Sequence, residues 1–314
     1  MGRTHINSVN AGLSMRIGYD YGGTKIAGVA IDETGAELAH ARVPTPRHDY
    51  EGGVRAIQEL TKKLEAEAGR RAISVGIGVP GAVDKKTGLI SGGNSVWLWG
   101  KDLRADLEAA LNRPVKIAND ANCFALSEAV DGAGKGYEVV FGAILGTGVG
   151  GGVVVDGKPI PGANSIGGEW GHMPLPSPMD DERPGPLCSC GVHGHVESWL
   201  SGPSLAADYA RRAGIPIEGG PTAPEVISLS EEGNAAAIET LHRFEDRLGR
   251  SLATIINFLD PDVIVFGGGL SNVNRFYETM PEHIIPHVFG DQFNTKLLPN
   301  VHGDSSGVRG AAWL

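Results

Sequence analysis

Residues 16–31 read RIGYDYGGTKIAGVAI, and this stretch decides the fold class of the chain. Arg16–Asp20 has the apolar character of a short strand, and Ile26–Ile31 predicts a second strand that runs back along it. Gly22-Gly23 lies between them, where two glycines allow a tight turn because no Cβ restricts the backbone. The stretch therefore predicts a β-hairpin with a glycine turn.

The second half of the chain repeats this order of elements. Val139–Leu145 predicts a strand, Gly146–Gly152 a glycine-rich turn, and Val153–Asp156 a returning strand. Apolar runs predict further strands at 37–43, 73–79, 115–118 and 263–266. Helical spacing of apolar residues predicts helices over 54–64, 103–111, 235–259 and 281–288. This alternation indicates an α/β fold with mixed sheets flanked by helices, whose two halves share one cleft.

Length and charge limit the classes of function. The chain has 314 residues, which is enough for two domains with sizeable cores. Its net charge of −10 argues against a nucleic-acid partner, because neutralising phosphates needs clustered Lys and Arg. No apolar run approaches the ~20 residues of a membrane span, so no membrane partner is expected. Residues 1–14 lack the apolar core of a signal peptide and are interpreted as a disordered extension or cloning remnant, with Met15 as the natural start.

The chain has 3 cysteines, Cys123, Cys188 and Cys190. An odd number is typical of a reduced compartment, and we expect a cytoplasmic protein without a disulfide framework. Cys123 lies on a predicted helix, where a small buried residue is the simpler interpretation. Cys188 and Cys190 lie in the Pro- and Gly-rich segment 161–195, and their thiolates, together with the imidazole of His172, suit Zn²⁺.

Asp120 is the candidate catalytic residue. It follows the short predicted strand Val115–Ala118 and opens an Ala-rich helical stretch that runs through Ala129. A carboxylate at the carboxyl end of a strand lies where α/β folds bind their ligands. The alternative is a helix cap, a role that we assign mainly to Asn122. We interpret Asp120 as a general base.

The glycine turns are candidate phosphate sites. Backbone N–H groups in such turns approach phosphate closely, and Asp20 is a candidate Mg²⁺ ligand, directly or through water. The chain contains no Walker G-x-x-x-x-G-K-[ST] run, and the strand-like Val153–Val155 after the second turn excludes a dinucleotide fingerprint, which needs a helix there. The candidate nucleotide-binding residues are Asp20, Gly22, Gly23, Thr24, Lys25, Gly146, Thr147, Gly148, Gly150, Gly268 and Gly269.

These motifs, in this order, resemble those of the ROK family of sugar kinases and regulators. The matching stretches are Asp20–Lys25, Asn119–Asn122, Gly146–Gly152, Glu169–His172, Cys188–Gly191 and Val263–Gly269. The resemblance covers 15–314 and implies two actin-like (ribonuclease H-like) domains around a central cleft, as in the actin/hexokinase-like superfamily. It implies a small domain of 15–120 with 302–314, and a large domain of 121–301 that carries a zinc loop at 172–195.

Within that family the chain is most similar to bacterial fructokinase/mannokinase members. The resemblance implies transfer of phosphate from Mg-ATP to the 6-hydroxyl of a hexose, with fructose as the first choice and mannose as a second substrate. Glucose and N-acetylglucosamine are the alternatives, because the same polar groups suit any hexose. The implied sugar-binding residues are Asn119, Asp120, Glu169, His172 and Glu197, with Asn94 and the Gly81 backbone as weaker candidates.

The implied zinc site departs from the family pattern. Similar members carry C-x-C-G-x-x-G-C, and here His195 replaces the last cysteine. The predicted ligands are His172, Cys188, Cys190 and His195, a set that Zn²⁺ accepts. Two alternatives stay open: His193 as the fourth ligand, and a site that binds zinc weakly or has lost it.

A sugar-responsive regulator is the competing function. Such a protein needs a DNA-binding helix-turn-helix ahead of the sugar domain. Few residues precede the first predicted strand, and the charge is acidic, so we favour the kinase. The family also implies a homodimer.

Overall fold

The structure is a computed structural model that describes residues 14–290 and 292–314. The predicted N-terminal extension, apart from Ser14, lies outside the described residues. The strands are β1 (Met15–Tyr21), β2 (Lys25–Asp32), β3 (Glu37–Pro44), β4 (Ser74–Val79), β5 (Ala82–Val83), β6 (Ile90–Ser91), β7 (Val115–Asn119), β8 (Val139–Leu145), β9 (Val149–Val155), β10 (Lys158–Pro159), β11 (Val263–Gly267) and β12 (Lys296–Pro299). The helices are α1 (Tyr50–Ala68), α2 (Leu103–Leu111), α3 (Asp120–Val130), α4 (Glu197–Leu200), α5 (Gly202–Ala213), α6 (Ala223–Glu231), α7 (Ala235–Leu259), α8 (Asn274–Ile284) and α9 (Ser306–Trp313).

Two mixed sheets of the same topology form the framework. One 5-stranded sheet has the order β3-β2-β1-β4-β7, and the other 5-stranded sheet has the order β10-β9-β8-β11-β12. In each sheet the first three strands pair antiparallel and the last two join in parallel. The fold class predicted from the sequence, α/β with mixed sheets and flanking helices, is confirmed. The repeated hairpin is therefore the start of a repeated sheet.

Helices cover both faces of the first sheet. Ile17 and Tyr19 pack in one core cluster with Ile57 and Leu64 of α1. Alternate residues of a strand point to opposite sides, so β1 also contributes to a second face of the sheet. On that face, α9 lies against β1 and β4. The second sheet has its own core, built mainly with α7 and α8. The predicted domain boundaries stay a prediction. Among the described residues, no helix combines the length and apolar character of a membrane span.

Two details differ from the sequence-based prediction. The second glycine turn is shorter than 146–152, because Gly150–Gly152 belong to β9. An ideal Cβ on Gly152 would lie 2.7 Å from the Ala121 carbonyl oxygen, so that glycine allows α3 to pack on β9 and does not serve a turn. The helix predicted over 281–288 lies earlier, at α8, where Phe276, Met280 and Ile284 face the core. Helices α5, α6 and α9 and strand β12 were not predicted from the sequence.

Buried ion pairs anchor the irregular segment 161–195 to α7, which is paired in turn with α5. Glu182 is buried and accepts hydrogen bonds from Arg247 Nε at 2.7 Å and from Arg250 at 3.0 Å. Arg247 also donates to Asp208 of α5 at 2.7 Å and lies over the Trp199 ring, with 4.2 Å between its Cζ and the ring centroid. The arginines of this network pair with its carboxylates, so burial leaves no charge without a partner. It holds the segment that carries the predicted metal ligands.

Helices α3 and α9 pack backbone against backbone between the two sheets. An ideal Cβ on Gly310 would lie 1.6 Å from the Cys123 carbonyl oxygen, and one on Gly76 would lie 1.7 Å from the Ala311 carbonyl oxygen. Only glycine permits contacts this close. These contacts fix α3, and therefore Asp120 at its first turn, relative to the first sheet.

Gly310→Ala tests this packing. The added methyl group forces α3 and α9 apart, and we expect the free energy of unfolding to fall by about 1–3 kcal/mol or more. Urea denaturation followed by circular dichroism measures the change. Gly307→Ala is the matched control in the same helix, because no atom lies within 4 Å of its ideal Cβ. The control is expected to be neutral or to gain up to ~1 kcal/mol from helix propensity. Equal stability of both variants would contradict the packing argument.

Candidate active-site cleft

Asp120 lies where the two sheets meet. It is the first residue of α3, directly after the parallel strand β7, and Gly78 of β4 and Gly150 of β9 lie on either side of this helix start. The cap of α3 is Asn119, whose Oδ1 accepts from the Ala121 amide at 2.9 Å. The assignment of the cap to Asn122 is therefore wrong. With Asn119 as the main cap, the Asp120 carboxylate keeps capacity for other partners, although it accepts from Ala121 at 2.8 Å.

The electrostatic environment of Asp120 is unusual for a carboxylate. Its side chain is exposed at the cleft surface, yet enough protein atoms lie around it to desolvate the carboxylate. Burial, together with the negative charges of Asp20 and Glu169, raises the pKa of Asp120 to about 6. Burial also raises the pKa of Asp20, against the effect of Lys25. The cleft therefore contains acidic groups with raised proton affinity, as at sites that move protons.

The first glycine turn lies at the carboxyl end of β1. The Gly22 amide donates to the Lys25 carbonyl at 3.0 Å, and Thr45 donates through its hydroxyl to the Gly22 carbonyl at 2.7 Å. Asn94 faces the turn, since its Oδ1 lies 3.6 Å from an ideal Cβ on Gly23. The turn thus brings predicted nucleotide-binding and sugar-binding residues together.

The second glycine turn meets the segment after β11. Because β8 and β11 are parallel neighbours, Gly146 and Gly268 lie side by side at their carboxyl ends, and the Cα of Gly268 is 3.9 Å from an ideal Cβ on Gly146. Gly268 has a φ of 78°, and a Cβ there would lie 2.4 Å from the Leu145 carbonyl oxygen. Gly150 is separate from this turn, since it lies in β9 against Ala121 of α3.

An open cavity of about 870 Å³ adjoins the second turn. Gly146, Thr147 and Gly269 line one side of it. The rest of the lining includes an apolar wall, which was not predicted from the sequence because its residues carry no motif. Those residues include Pro203, Ala207, Ile217, Ile227, Leu270 and Val273. A polar turn beside an apolar wall fits a ligand with a phosphate chain and a flat ring.

Glu169, His172 and Glu197 form the acidic wall near Asp120. His172 Nε2 lies 3.9 Å from Glu169 Oε2. Burial raises the pKa of Glu169; His172 opposes this shift and Glu197 adds to it. Glu197 accepts from the Val149 amide at 3.1 Å and from the Ser189 hydroxyl at 2.7 Å. Glu197 therefore links the second glycine turn to the cysteine loop, a connection that the sequence does not reveal.

The predicted metal ligands converge. The ligand atoms of His172, Cys188, Cys190 and His195 all lie within 4.8 Å of one another. Cys188 Sγ is 3.6 Å from His172 Nδ1, and Cys190 Sγ is 3.2 Å from His195 Nδ1. Tetrahedral zinc separates such atoms by roughly 3.3–3.8 Å, so the donor set fits the ion. His193 lies outside this group, with its Nδ1 2.9 Å from the Gly185 carbonyl oxygen.

The sequence and the fold both match a known family. The sequence model of the ROK family matches residues 16–314, almost the whole of the described chain. The chain belongs to the ROK family. This confirms the resemblance inferred from the glycine turns, the Asn119–Asn122 motif and the cysteine loop.

Sugar kinases match this chain along nearly their full length. The N-acetyl-D-glucosamine kinase of Escherichia coli O1:K1 / APEC is 41% identical over 313 residues, which cover 96% of this chain and 99% of that protein. The ROK hexokinase of Thermus thermophilus has a TM-score of 0.84 at 32% identity, covering 95% of this chain and 97% of that one. The ROK glucokinase of Streptomyces griseus, solved with glucose and AMPPNP, has a TM-score of 0.75 at 29% identity, covering 96% and 98%.

Proposed function

We propose that this ROK protein is an ATP-dependent kinase that phosphorylates N-acetyl-D-glucosamine at its 6-hydroxyl. The observation that carries the kinase assignment is Asp120, a carboxylate with a raised pKa between two glycine turns and an acidic wall. The sugar is inferred from the Escherichia coli relative at 41% identity. That relative supports N-acetylglucosamine, an alternative in the sequence analysis, better than fructose.

We assign the acidic wall to the sugar. A hexose carries many hydroxyls, each a donor and an acceptor, and carboxylates accept strong charge-assisted bonds from them. Glu169 supplies such a carboxylate close to Asp120, and His172 supplies an imidazole beside Glu169. Asn94 adds an amide from the first glycine turn, while Asn119 holds the Gly81 carbonyl at 3.1 Å through its Nδ2. The Glu197 carboxylate is the further contact in this assignment.

We assign the glycine turns and the 870 Å³ cavity to ATP. The Gly22 and Gly146 amides close their own turns, so we assign the phosphate oxygens to the neighbouring amides of Gly23, Thr24, Thr147 and Gly148. The apolar wall of α5 and α6 holds the adenine in this assignment. Gly268 and Gly269 let the chain pass close to the nucleotide. Asp20 is the carboxylate placed to hold Mg²⁺, which supplies charge neutralisation to the phosphates.

Asp120 acts as the general base in this mechanism. It accepts the proton of the 6-hydroxyl while that oxygen forms a bond to the γ-phosphorus. The bond from the γ-phosphorus to the bridging oxygen breaks, and ADP leaves. The transition state is loose, so positioning of both substrates contributes most of the catalysis. A base with a pKa near 6 is mostly ionised at neutral pH and still binds a proton readily.

We propose a structural zinc ion at His172, Cys188, Cys190 and His195. The ion would hold the cysteine loop in place, since Zn²⁺ with four protein ligands leaves no open position for substrate. His172 would bind through Nδ1, next to Cys188, and turn Nε2 toward Glu169 and the sugar. The metal would then orient a sugar-binding ring.

A coupled ADP-release assay tests the acceptor. N-acetylglucosamine is expected to give a kcat/KM at least about tenfold above those of glucose, mannose, fructose and N-acetylmannosamine, because a site that binds the acetamido group disfavours sugars without it or with the other C2 configuration. Comparable values for all five sugars would contradict a dedicated N-acetylglucosamine kinase. No ADP release with any of them would contradict the kinase itself.

The pH profile and an isosteric variant test Asp120. The base works only when deprotonated, so kcat/KM is expected to be level above its pKa of about 6 and to fall about tenfold per pH unit below it. Asp120→Asn is expected to remove turnover and to keep sugar binding in calorimetry. Asp304→Asn, an exposed aspartate, is the control and keeps full activity. Near-normal turnover in Asp120→Asn would exclude the base assignment.

Metal analysis of protein purified without chelator tests the zinc site. We expect about one zinc ion per chain, lost in His195→Ala and retained in His193→Ala, because His193 lies outside the ligand group. Loss of the ion should also lower the midpoint of thermal unfolding, since the metal binds the folded state. Zinc-free wild-type protein, or loss only in His193→Ala, would overturn the assignment.

A further inference from the structure

A second cavity lies between the free edges of the two sheets. Its volume is about 620 Å³, enough for a small metabolite. The edge strand β7 lines one side, and the β9–β10 turn lines the other. Asp120, Glu169 and the glycine turns are not among its lining residues. We call this cavity the edge groove.

The edge groove carries an unusual charge for this protein. Lys85, Arg104, Lys116 and Lys158 all line it, although the chain as a whole has a net charge of −10. Among residues 14–290 and 292–314, no carboxylate pairs with Lys85, Arg104 or Lys158. Lys116 contacts the carbonyl oxygen of Leu314 at the C-terminus. The cations come from four separate segments, so the fold alone brings them together.

The negative groups at the edge groove do not cancel this charge. Asp84 lines it too, but its Oδ1 already accepts from the Lys86 and Thr87 amides at 2.9 and 2.7 Å. These bonds and the Thr87 hydroxyl lower the pKa of Asp84, so it stays ionised and engaged in its own turn. Asp84 and the carboxylate of Leu314 are thus the two negative groups in this lining, against four cations. An anion is the ligand that such a lining attracts.

Buried polar groups extend the lining beyond the cations. Asn122 is 3% exposed and lines the edge groove, and its Oδ1 has no hydrogen-bond partner among the described residues. Ser165, 8% exposed, lies in the same lining. Buried amides normally have partners, and an orphan calls for a ligand or water. The volume also exceeds what a phosphate ion alone would fill.

We propose that the edge groove binds the phosphate group of a small phosphorylated sugar. The exposed cations hold the phosphate by charge-assisted hydrogen bonds, and the amide and hydroxyl groups contact the sugar. The site is separate from the catalytic cleft, although both adjoin Asn119. A ligand there contacts the edge strands of both sheets at once.

Calorimetry tests this site. Glucose 6-phosphate and inorganic phosphate are titrated separately into the full chain, with the catalytic cleft filled by N-acetylglucosamine and AMPPNP. We expect glucose 6-phosphate to bind one site per chain, more tightly than inorganic phosphate. The variant Lys85→Glu/Lys158→Glu is expected to bind at least about tenfold more weakly, because both cations are exposed and can be reversed without repacking. If charge reversal lowers the stability of the protein, the neutral variant Lys85→Gln/Lys158→Gln replaces it, and weaker binding of glucose 6-phosphate is again expected.

The matched control carries the same change of net charge elsewhere. Lys135→Glu/Lys296→Glu alters two exposed lysines outside the edge groove and should bind like wild type. Equal weakening in this control would reduce the effect to overall charge and overturn the site. Equal affinity for both anions would assign the site to free phosphate and overturn the sugar phosphate. The readout is the loss of glucose 6-phosphate binding in variants of residues that line the edge groove. It therefore does not depend on which sugar the kinase phosphorylates.

Discussion

The close contact between α3 and α9 is the constraint on which the rest of the structure depends. The glycine turns of the two sheets meet at one cleft because the helices between the sheets pack closely. Packing this close requires a contact without side chains. Gly310 against the Cys123 carbonyl, and Gly76 against the Ala311 carbonyl, meet that requirement. Because α3 begins at Asp120, this packing also sets the position of the Asp120 carboxylate relative to both turns.

The cleft concentrates negative charge at a cost in stability. Burial raises the pKa of Asp20, Asp120 and Glu169. The negative charges of Asp20 and Glu169 raise the pKa of Asp120 further, and Glu197 does the same for Glu169. Lys25 lowers the pKa of Asp20, and His172 lowers that of Glu169, so each offsets part of this effect. Such an arrangement disfavours the empty folded state. In the proposed function it supplies acceptors for sugar hydroxyls and a base suited to neutral pH, and the glycine turns supply amide donors for phosphate.

The cysteine loop is connected through short paths to the second glycine turn and to Glu169, which the proposed function assigns to ATP and to the sugar. Glu197 joins the Val149 amide, next to the second glycine turn, to the Ser189 hydroxyl in the loop. His172 joins Cys188 to Glu169. The buried Glu182–Arg247 pair holds the segment from the other side. A metal in the loop would therefore stabilise the position of sugar-binding groups without contacting the reacting atoms.

The sequence by itself determined the hairpins, the α/β class and the family, because glycine turns and strand periodicity are local patterns. It also singled out Asp120 as the candidate base, which stays a prediction. It also indicated His195 at the place of a missing cysteine. It misplaced α8 and the cap of α3, and it missed the apolar wall of α5 and α6, since packing partners distant in sequence decide those features. Only the tertiary structure showed that Gly150–Gly152 serve packing and that four scattered cations line the edge groove. Proximity between remote segments depends on how the two sheets join, and no local pattern encodes it.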